Sequence, residues 1–346
     1  MGEYLLGIDI GTSACKVAVF DRDGEIIASE TGKYNIYYPQ PGYVEQNPEE
    51  WWETICNTIK LIICKSDIDK SEIVGVGVDG QSWSAIAIDK NGTVLANTPI
   101  WMDTRSDSIC KRLNKEIGSD TIFNLAGNLL QASYTTAKII WYKENMPEVF
   151  EKTYKILQSN SFIVYRLTGM ISQDKSQGYG LHCFDMRRGS LDRDMCKALG
   201  IEYDFLPDIY DCHQVVGFLT DAAAEQCGLA AGTPVVAGGL DAACGTLGAG
   251  VIHPYETQEQ GGQAGGMSIC LDSFGADPRL ILGFHVVPGR WLLQGGTTGG
   301  GGVMRWIEQE LADFEREEAK RLGKSALDLL YEAAVRVNPG SYGLVF

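Results

Sequence analysis

Residues 5–24, LLGIDIGTSACKVAVFDRDG, put one acid, Asp9, into a run that otherwise reads as a buried strand. Residues 4–10, 16–20 and 25–30 read as three successive strands, and DRDG between the last two has the Asp and Gly chemistry of a tight hairpin turn. The Asp9 strand therefore leads into a hairpin and not into a helix. That rules out the phosphate loop that ends in Gly-Lys-Ser/Thr and opens a helix. Gly11, Thr12 and Ser13, immediately behind Asp9, gather backbone N–H groups and hydroxyls around one point, an arrangement that can cradle phosphate oxygens. Asp9 would then hold Mg²⁺ through water, while Thr12, Ser13 and the Lys16 ammonium meet the phosphates. The alternative is a strand-end Asp that satisfies its own turn.

NPEEWWETICNTIKLII reads as a helix, with Asn47 as cap, Pro48 at the first helical position, Glu50 placed for a capping box, and Trp52, Ile55, Ile59 and Ile62 at helical spacing. EIVGVGVD alternates as a strand, SAIAIDKNGTVLA reads as a hairpin around Asn91-Gly92, and TTAKIIWYKENMPEVFEKTYKIL as helices broken near Pro147. A strand TPVVAGGLD opens into the small-residue run AACGTLGAG; beyond residue 252 come GGQAGGMSICLD, LILGFHVV, WLLQGG and a long helix from about Gly302. At 346 residues the chain is expected to hold more than one core, and its second half partly echoes the first. A net charge of −16 argues against nucleic acid and anionic membranes as partners, since phosphate backbones need an excess of Lys and Arg. No apolar run has the length of a membrane span, and the acidic start MGEYLL lacks the basic region of a signal peptide, so a cytoplasmic protein is expected. Ten cysteines without a Cys-x-x-Cys pair suit buried thiols better than disulfides or zinc.

Asp241, in VVAGGLDAACGTLGAG, is a second acid at a strand end, followed by a helix whose N-terminus favours its ionised form. Such a carboxylate can orient a hydroxyl and accept its proton as the oxygen attacks phosphorus; the alternative is a plain N-cap. GVDGQSWSA approaches a serine-hydrolase elbow at Ser82, but the elbow must turn into a helix, and a hairpin follows here. Read as a polyol site, Gln81 offers amide groups, Trp83 a ring face, and WMDTR supplies Trp101, Asp103 and Arg105. Core packing for the tryptophans and a surface ion pair for Asp103 and Arg105 remain open beside it. The glycine runs GGQAGGMSI and QGGTTGGGGVMRW suit close backbone approach to a ligand.

GIDIGTSACK, DGQSW, IWMDTR, TTAKIIWYKEN with YRLTG, and GGLDAACGTLGAG, in this order, resemble the FGGY family of carbohydrate kinases from residue 4 to the end. The resemblance implies an α/β protein of two ribonuclease-H-like domains of the actin-like ATPase superfamily with a cleft between them. Residues 1–252 would be the N-terminal domain, and 253–346 an incomplete C-terminal nucleotide domain. Asp9, Gly11, Thr12, Ser13 and Lys16 inherit the Mg-ATP role, joined by Gly262, Gln263 and Gly301. Asp241 inherits that of catalytic base. Gln81, Ser82, Trp83, Trp101, Asp103 and Tyr134 fall at or near sugar-site positions, with Arg105 beside them. The implied activity is ATP-dependent phosphorylation of a small sugar or polyol, with ATP and Mg²⁺ as cofactors and a homodimer left open. Three departures stand out. Xylulokinases typically read Gly-Gln-Met-His-Gly where this chain has Gly80-Gln81-Ser82-Trp83-Ser84, which opens the question of the sugar. The second phosphate loop reads Gly262-Gln263-Ala264-Gly265, without hydroxyls. Family members continue well beyond GSYGLVF, so an inactive sugar-binding remnant or gene fragment is the rival expectation.

Overall fold

The computed structural model describes residues 3–66, 68–261, 265–297 and 300–344. Tyr4–Ile10, Ala14–Phe20 and Ile26–Lys33 form three antiparallel strands, with Asp9 opposite Lys16 and Lys16 opposite Thr31. The helix Pro48–Ser66 packs across the second and third strands. Asn47 Oδ1 accepts the Glu49 N–H at 3.0 Å, while Glu50 turns away toward Asn35, whose N–H donates to it at 3.3 Å. After the helix, Ile73–Gly80 returns parallel to the first strand, with Asp79 beside Asp9. Pro234–Val236 and Gly239–Leu240 pair parallel with Ile73–Gly80, and Val215–Phe218 closes the edge antiparallel to Pro234–Val236. Three antiparallel strands leading into parallel ones, in one mixed sheet, are the ribonuclease-H-like order that the resemblance implies.

Strand alternation divides the two faces of this sheet. Leu6, Ile8, Ile10, Val76 and Val78 are buried in one core with Trp51, Ile55, Ile59, Ile62, Phe162 and Leu167. The intervening residues Gly7, Asp9, Gly77 and Asp79 are only half-buried, so the acids share the other face. A second core gathers Ile139, Ile140, Phe184, Met186, Cys270, Leu282 and Phe284.

One local reading is extended and one is corrected. The Asn91-Gly92 hairpin forms, with Ile88 and Val94 bridging across it, the Asp89 N–H donating to the Thr93 carbonyl at 3.0 Å and the Leu95 N–H to the Ala87 carbonyl at 2.9 Å. Ile86–Ile88 also pairs with Lys155–Leu157, a long-range partner that local periodicity cannot reveal. The long helix near the end is three helices, Gly301–Glu310, Asp313–Leu322 and Ala326–Ala334. Ala312 leaves helical geometry between the first two; Gly323 turns left-handed (φ 65°) after the second, and Ser325 caps the third.

The chain forms two compact units, Met1–Glu256 with Ile269–Leu293, and Thr257–Ser268 with Gln294–Phe346. The division is not a single cut, because 269–293 carries Cys270, Leu282, Phe284 and Leu292 back into the first unit's core. Among the described residues no helix is long and apolar enough to cross a membrane.

Gly238 interrupts the expected strand TPVVAGGLD and steers the chain toward Asp241. Its φ is +84°, and a Cβ there would run into the Val78 carbonyl oxygen. Gly238→Ala is therefore expected to lower the unfolding free energy by roughly 2–4 kcal/mol, read from the urea midpoint; a loss under about 0.5 kcal/mol would show that the backbone relaxes freely.

Candidate active site

The carboxyl ends of the central strands bring three acids together. Parallel register sets Asp9 beside Asp79, and the pairing of Gly239 with Asp79 and Leu240 with Gly80 delivers Asp241 next to them at the start of the helix Asp241–Gly248. Burial raises the pKa of Asp79 well above the ordinary carboxylate value, and the charges of Asp9 and Asp241 raise it further. Asp9 is also raised by burial, but less, because Asp79 donates a hydrogen bond to it and Lys16 lies near. Asp79 is therefore the protonated member of the pair. Burial pushes Asp241 up to about 7 against a hydrogen bond from the Ala242 N–H at 2.6 Å, and the Asp9 charge adds to the rise. Among the described residues no three His, Cys, Asp or Glu side chains are placed to ligate a metal directly. With Asp79 protonated, Asp9 is the member of the pair that can meet a hydrated cation. Asp79 was not singled out from sequence, although it stands at the same strand-end phase in EIVGVGVD as Asp9 does in LLGIDI.

The turn behind Asp9 is tight: the Gly11 N–H donates to the Ala14 carbonyl at 3.1 Å, and the Tyr34 hydroxyl donates to the Gly11 carbonyl. Trp101 Nε1 donates to Thr12 Oγ1 at 2.9 Å, which ties WMDTR to this turn. Ser13 and Lys16 are exposed beside it. Of the other expected nucleotide contacts, Gly262 and Gln263 lie outside the described residues. Gly301 is the first residue of a helix in the second unit.

Gln81 follows the Asp79 strand, with its N–H donating to the Ile10 carbonyl at 2.9 Å and its carbonyl accepting from Ser159 Oγ at 2.7 Å. Gln177 Nε2 donates to the Gly80 carbonyl at 3.0 Å and to that of Gln81 at 3.2 Å. Trp83 stacks on Tyr134 with ring centroids 4.1 Å apart, and Tyr179 tilts against Trp83 at 5.5 Å. Ser82 Oγ lies 2.9 Å from the Tyr179 hydroxyl and not at a base. His182 is bonded to Thr136 and the Leu129 carbonyl, and burial lowers its pKa to about 4, so it rests as a neutral core residue. Buried atoms without a hydrogen-bond partner among the described residues include Gln81 Oε1, Trp83 Nε1 and Gln177 Oε1. Such a set suits a ligand with several hydroxyls, which can both donate and accept.

Asp103 and Arg105 form a buried ion pair instead of the surface pair left open from sequence. Asp103 is fully buried and accepts from the Val44 N–H at 2.7 Å and from Arg105 Nη2 at 2.7 Å. Arg105 also meets Glu45 and lies over the Tyr43 ring. Lys138 is fully buried and donates to the carbonyls of Trp83 at 2.8 Å and of Ile100 and Ser133 at 2.7 Å each, fastening the segments that carry Trp83, Trp101 and Tyr134. Asp174, also fully buried, accepts from Asn160, Gln173, Ser176 and the Gln177 N–H. Ser176 Oγ in turn accepts the Leu240 N–H at 2.8 Å, one residue before Asp241. No periodicity or motif marks Asp174, Ser176, Gln177 or Tyr179, because their roles depend on contacts distant in the chain.

The acid cluster fixes the sign of a pH effect. In the unfolded chain these carboxyls ionise near 3.8, whereas in the folded chain they keep their protons to higher pH, Asp241 to about 7. The folded state then binds more protons than the unfolded one in that window, so their contribution to stability is lost as pH rises through it. Asp79→Asn removes a carboxyl that holds its proton more tightly in the folded chain than in the unfolded one. Urea unfolding at pH 5 and pH 8 should show a smaller fall in stability for this variant than for the parent; an equal or larger fall would mean that folding does not raise the Asp79 carboxyl.

The FGGY family of carbohydrate kinases, N-terminal domain, matches residues 4–248. Xylulose kinase of Bacillus subtilis (strain 168) is 32% identical over 255 residues, 74% of this chain and 51% of that protein. Gluconokinase of the same strain is 28% identical over 347 residues, 100% of this chain and 67% of that protein. The chain thus spans about half to two thirds of the length of these relatives. The crystal structure of xylulose kinase from Rhodospirillum rubrum superposes with a TM-score of 0.90 at 26% identity, covering 99% of this chain and 69% of that one. With the sheet order and the strand-end acids described above, this match means that the chain belongs to the FGGY family of carbohydrate kinases.

Proposed function

We propose that this chain carries the sugar site and first phosphate turn of an ATP-dependent kinase for a small sugar or polyol, with Asp241 as general base. The observation that carries the reading is the placement of Asp241. It is a carboxylate raised to about 7 at a helix N-terminus, and the strand register brings it beside both the Asp9 turn and the Gln81 segment. Tyr179, whose ring borders Trp83 and Tyr134, is raised well above the ordinary tyrosine value by burial, with the Asp241 charge adding to the rise.

In this reading Gln81, Trp83 and Tyr134 orient the sugar, and a primary hydroxyl reaches Asp241. Asp241 accepts the hydroxyl proton as the oxygen attacks the terminal phosphorus of ATP, whose bond to the β–γ bridging oxygen breaks and releases ADP. Thr12, Ser13 and the Gly11 turn hold phosphate oxygens, and the Lys16 ammonium offsets their charge. Asp9 would hold Mg²⁺ through water, and the ion would supply charge neutralisation on the transferring group. Asp103 and Arg105 act as a buried brace under the Trp101 segment. The relatives' names, xylulose kinase and gluconokinase, suggest a ketose or sugar acid. Trp83, where xylulokinases typically carry histidine, keeps the choice among small polyhydroxy compounds.

The test is sugar-dependent ADP release with Mg-ATP across ketopentoses, aldoses, sugar acids and polyols, by this chain and by the chain continued to its relatives' full length. Release by neither would overturn the kinase reading. Asp241→Asn should cut turnover by about a thousandfold or more while sugar affinity stays within about threefold. The parent rate should rise with pH as Asp241 ionises near 7, and this limb should be missing from the variant; near-normal turnover in Asp241→Asn would remove the residue from its role as base.

A further inference from the structure

Gln46 lies on the short strand Glu45–Gln46, fully buried and outside every motif above. One end of its carboxamide faces two backbone carbonyl oxygens, Thr12 at 2.8 Å and Asn35 at 3.1 Å. Carbonyls only accept, so this end must be the NH₂ group and the other end the oxygen. That oxygen lies 2.7 Å from the Gln81 carboxamide, which must therefore turn its own NH₂ toward Gln46. Gln81 Oε1 is left as the free end, buried and with no hydrogen-bond partner among the described residues. The orientation of Gln81 is thus fixed by two backbone carbonyls, one residue removed, before any ligand arrives. The same reasoning holds at Thr12. An indole N–H only donates, so Trp101 occupies a lone pair of the Thr12 hydroxyl and leaves its proton to be donated elsewhere.

We propose that Gln46 is a positioning residue that sets the hydrogen-bond polarity of the site. It turns Gln81 Oε1 into the open end of that carboxamide, so that the group received at this oxygen must be a hydroxyl that donates. Through the same carboxamide it holds the Thr12 carbonyl of the phosphate turn. A ligand with fluorine in place of that hydroxyl can accept but cannot donate, and the site rejects it. The sugar-binding part of this inference rests on the kinase reading, whereas the polarity of Gln81 does not.

Two measurements separate these parts. In the full chain with ¹⁵N-glutamine, the Gln81 carboxamide signal is identified by its loss in Gln81→Leu, and exchange of its protons with water is measured without ligand. The parent should exchange at least tenfold more slowly than a free carboxamide, and Gln46→Leu should return the rate to within about threefold of the free value. Gln46→Met, which keeps the length of the side chain, serves if the leucine variant does not fold. Rapid exchange in the parent, or equal protection in the variant, overturns the proposal whatever the ligand. With the best sugar from the ADP-release panel, Gln46→Leu should raise the sugar KM about tenfold with kcat within about threefold. It should also narrow the preference for the sugar over its deoxyfluoro analogues. Equal losses in both constants and an unchanged preference would mean that Gln46 only supports the fold. If no sugar is turned over, the kinase reading fails alone and the exchange measurement still decides the polarity.

Discussion

The in-register pairing of Asp9 with Asp79 on adjacent parallel strands is the constraint around which the rest of the site is arranged. Two carboxyls side by side on a half-buried sheet face cannot both ionise cheaply, and one keeps its proton. The surroundings answer this in detail. Gly7 and Gly77 add no side chains of their own to the acid face, and Lys16 lies directly across from Asp9. Gly238 allows the next strand to approach Val78 closely enough for Asp241 to start its helix beside them. A sheet selected for stability alone would put valine or isoleucine at these positions. Destabilising acids gathered at strand ends mark a site where charge is to be met by a ligand.

The wall of the ligand site is held by buried charges that lack opposite charges at hydrogen-bond distance. Lys138 has three N–H donors and three carbonyl partners, from segments 17 to 50 residues apart in the chain. Among the described residues the donors bound to Asp174 are neutral. Desolvation pushes Lys138 down to about 7 and Asp174 upward, as expected for charges stabilised by dipoles instead of ions. The benefit is geometric, since an ammonium fixes three backbone segments at one point and a carboxylate fixes the Leu240 N–H through Ser176. A single salt bridge would tie only two groups.

What could be read from sequence follows the range of the interactions involved. The three first strands, the helix after Asn47 and the acids at strand ends depend on alternation, capping and neighbouring residues, and those signals are local. The Asn91-Gly92 hairpin is equally local, whereas the pairing of Ile86–Ile88 with Lys155–Leu157 depends on a partner far along the chain and leaves no local signal. The terminal helix is divided by local signals, Gly323 as a stop and Ser325 as a cap, which a single helix from about Gly302 passes over. Within the site, Asp9, Gln81, Trp83, Trp101 and Asp241 are legible because motif order names them. Asp79 carried a usable signal in its strand phase. Lys138 stood inside a quoted helix, but nothing in its periodicity showed that it would turn inward, because an inward lysine is sensible only where three carbonyls already converge.

Trp83 shows how these buried contacts reach the ligand surface. Its φ of 63° is uncommon for a bulky residue and is maintained only where neighbours over-determine it. Both of its backbone groups are held, the N–H by Gln158 Oε1 at 3.2 Å and the carbonyl by Lys138 at 2.8 Å. Gly180 leaves room for the ring, since a Cβ there would sit 3.0 Å from Trp83 Cδ1. The strained backbone turns the indole onto Tyr134 and presents Nε1 as a buried donor without a partner among the described residues. Gln81 offers an acceptor two residues earlier. A donor and an acceptor are thus oriented from behind, one by backbone strain and one by a glutamine relay, as the proposed site for a hydroxylated ligand requires. The ordering cost is then met in folding and not in binding, which is the condition under which small polar ligands are held selectively.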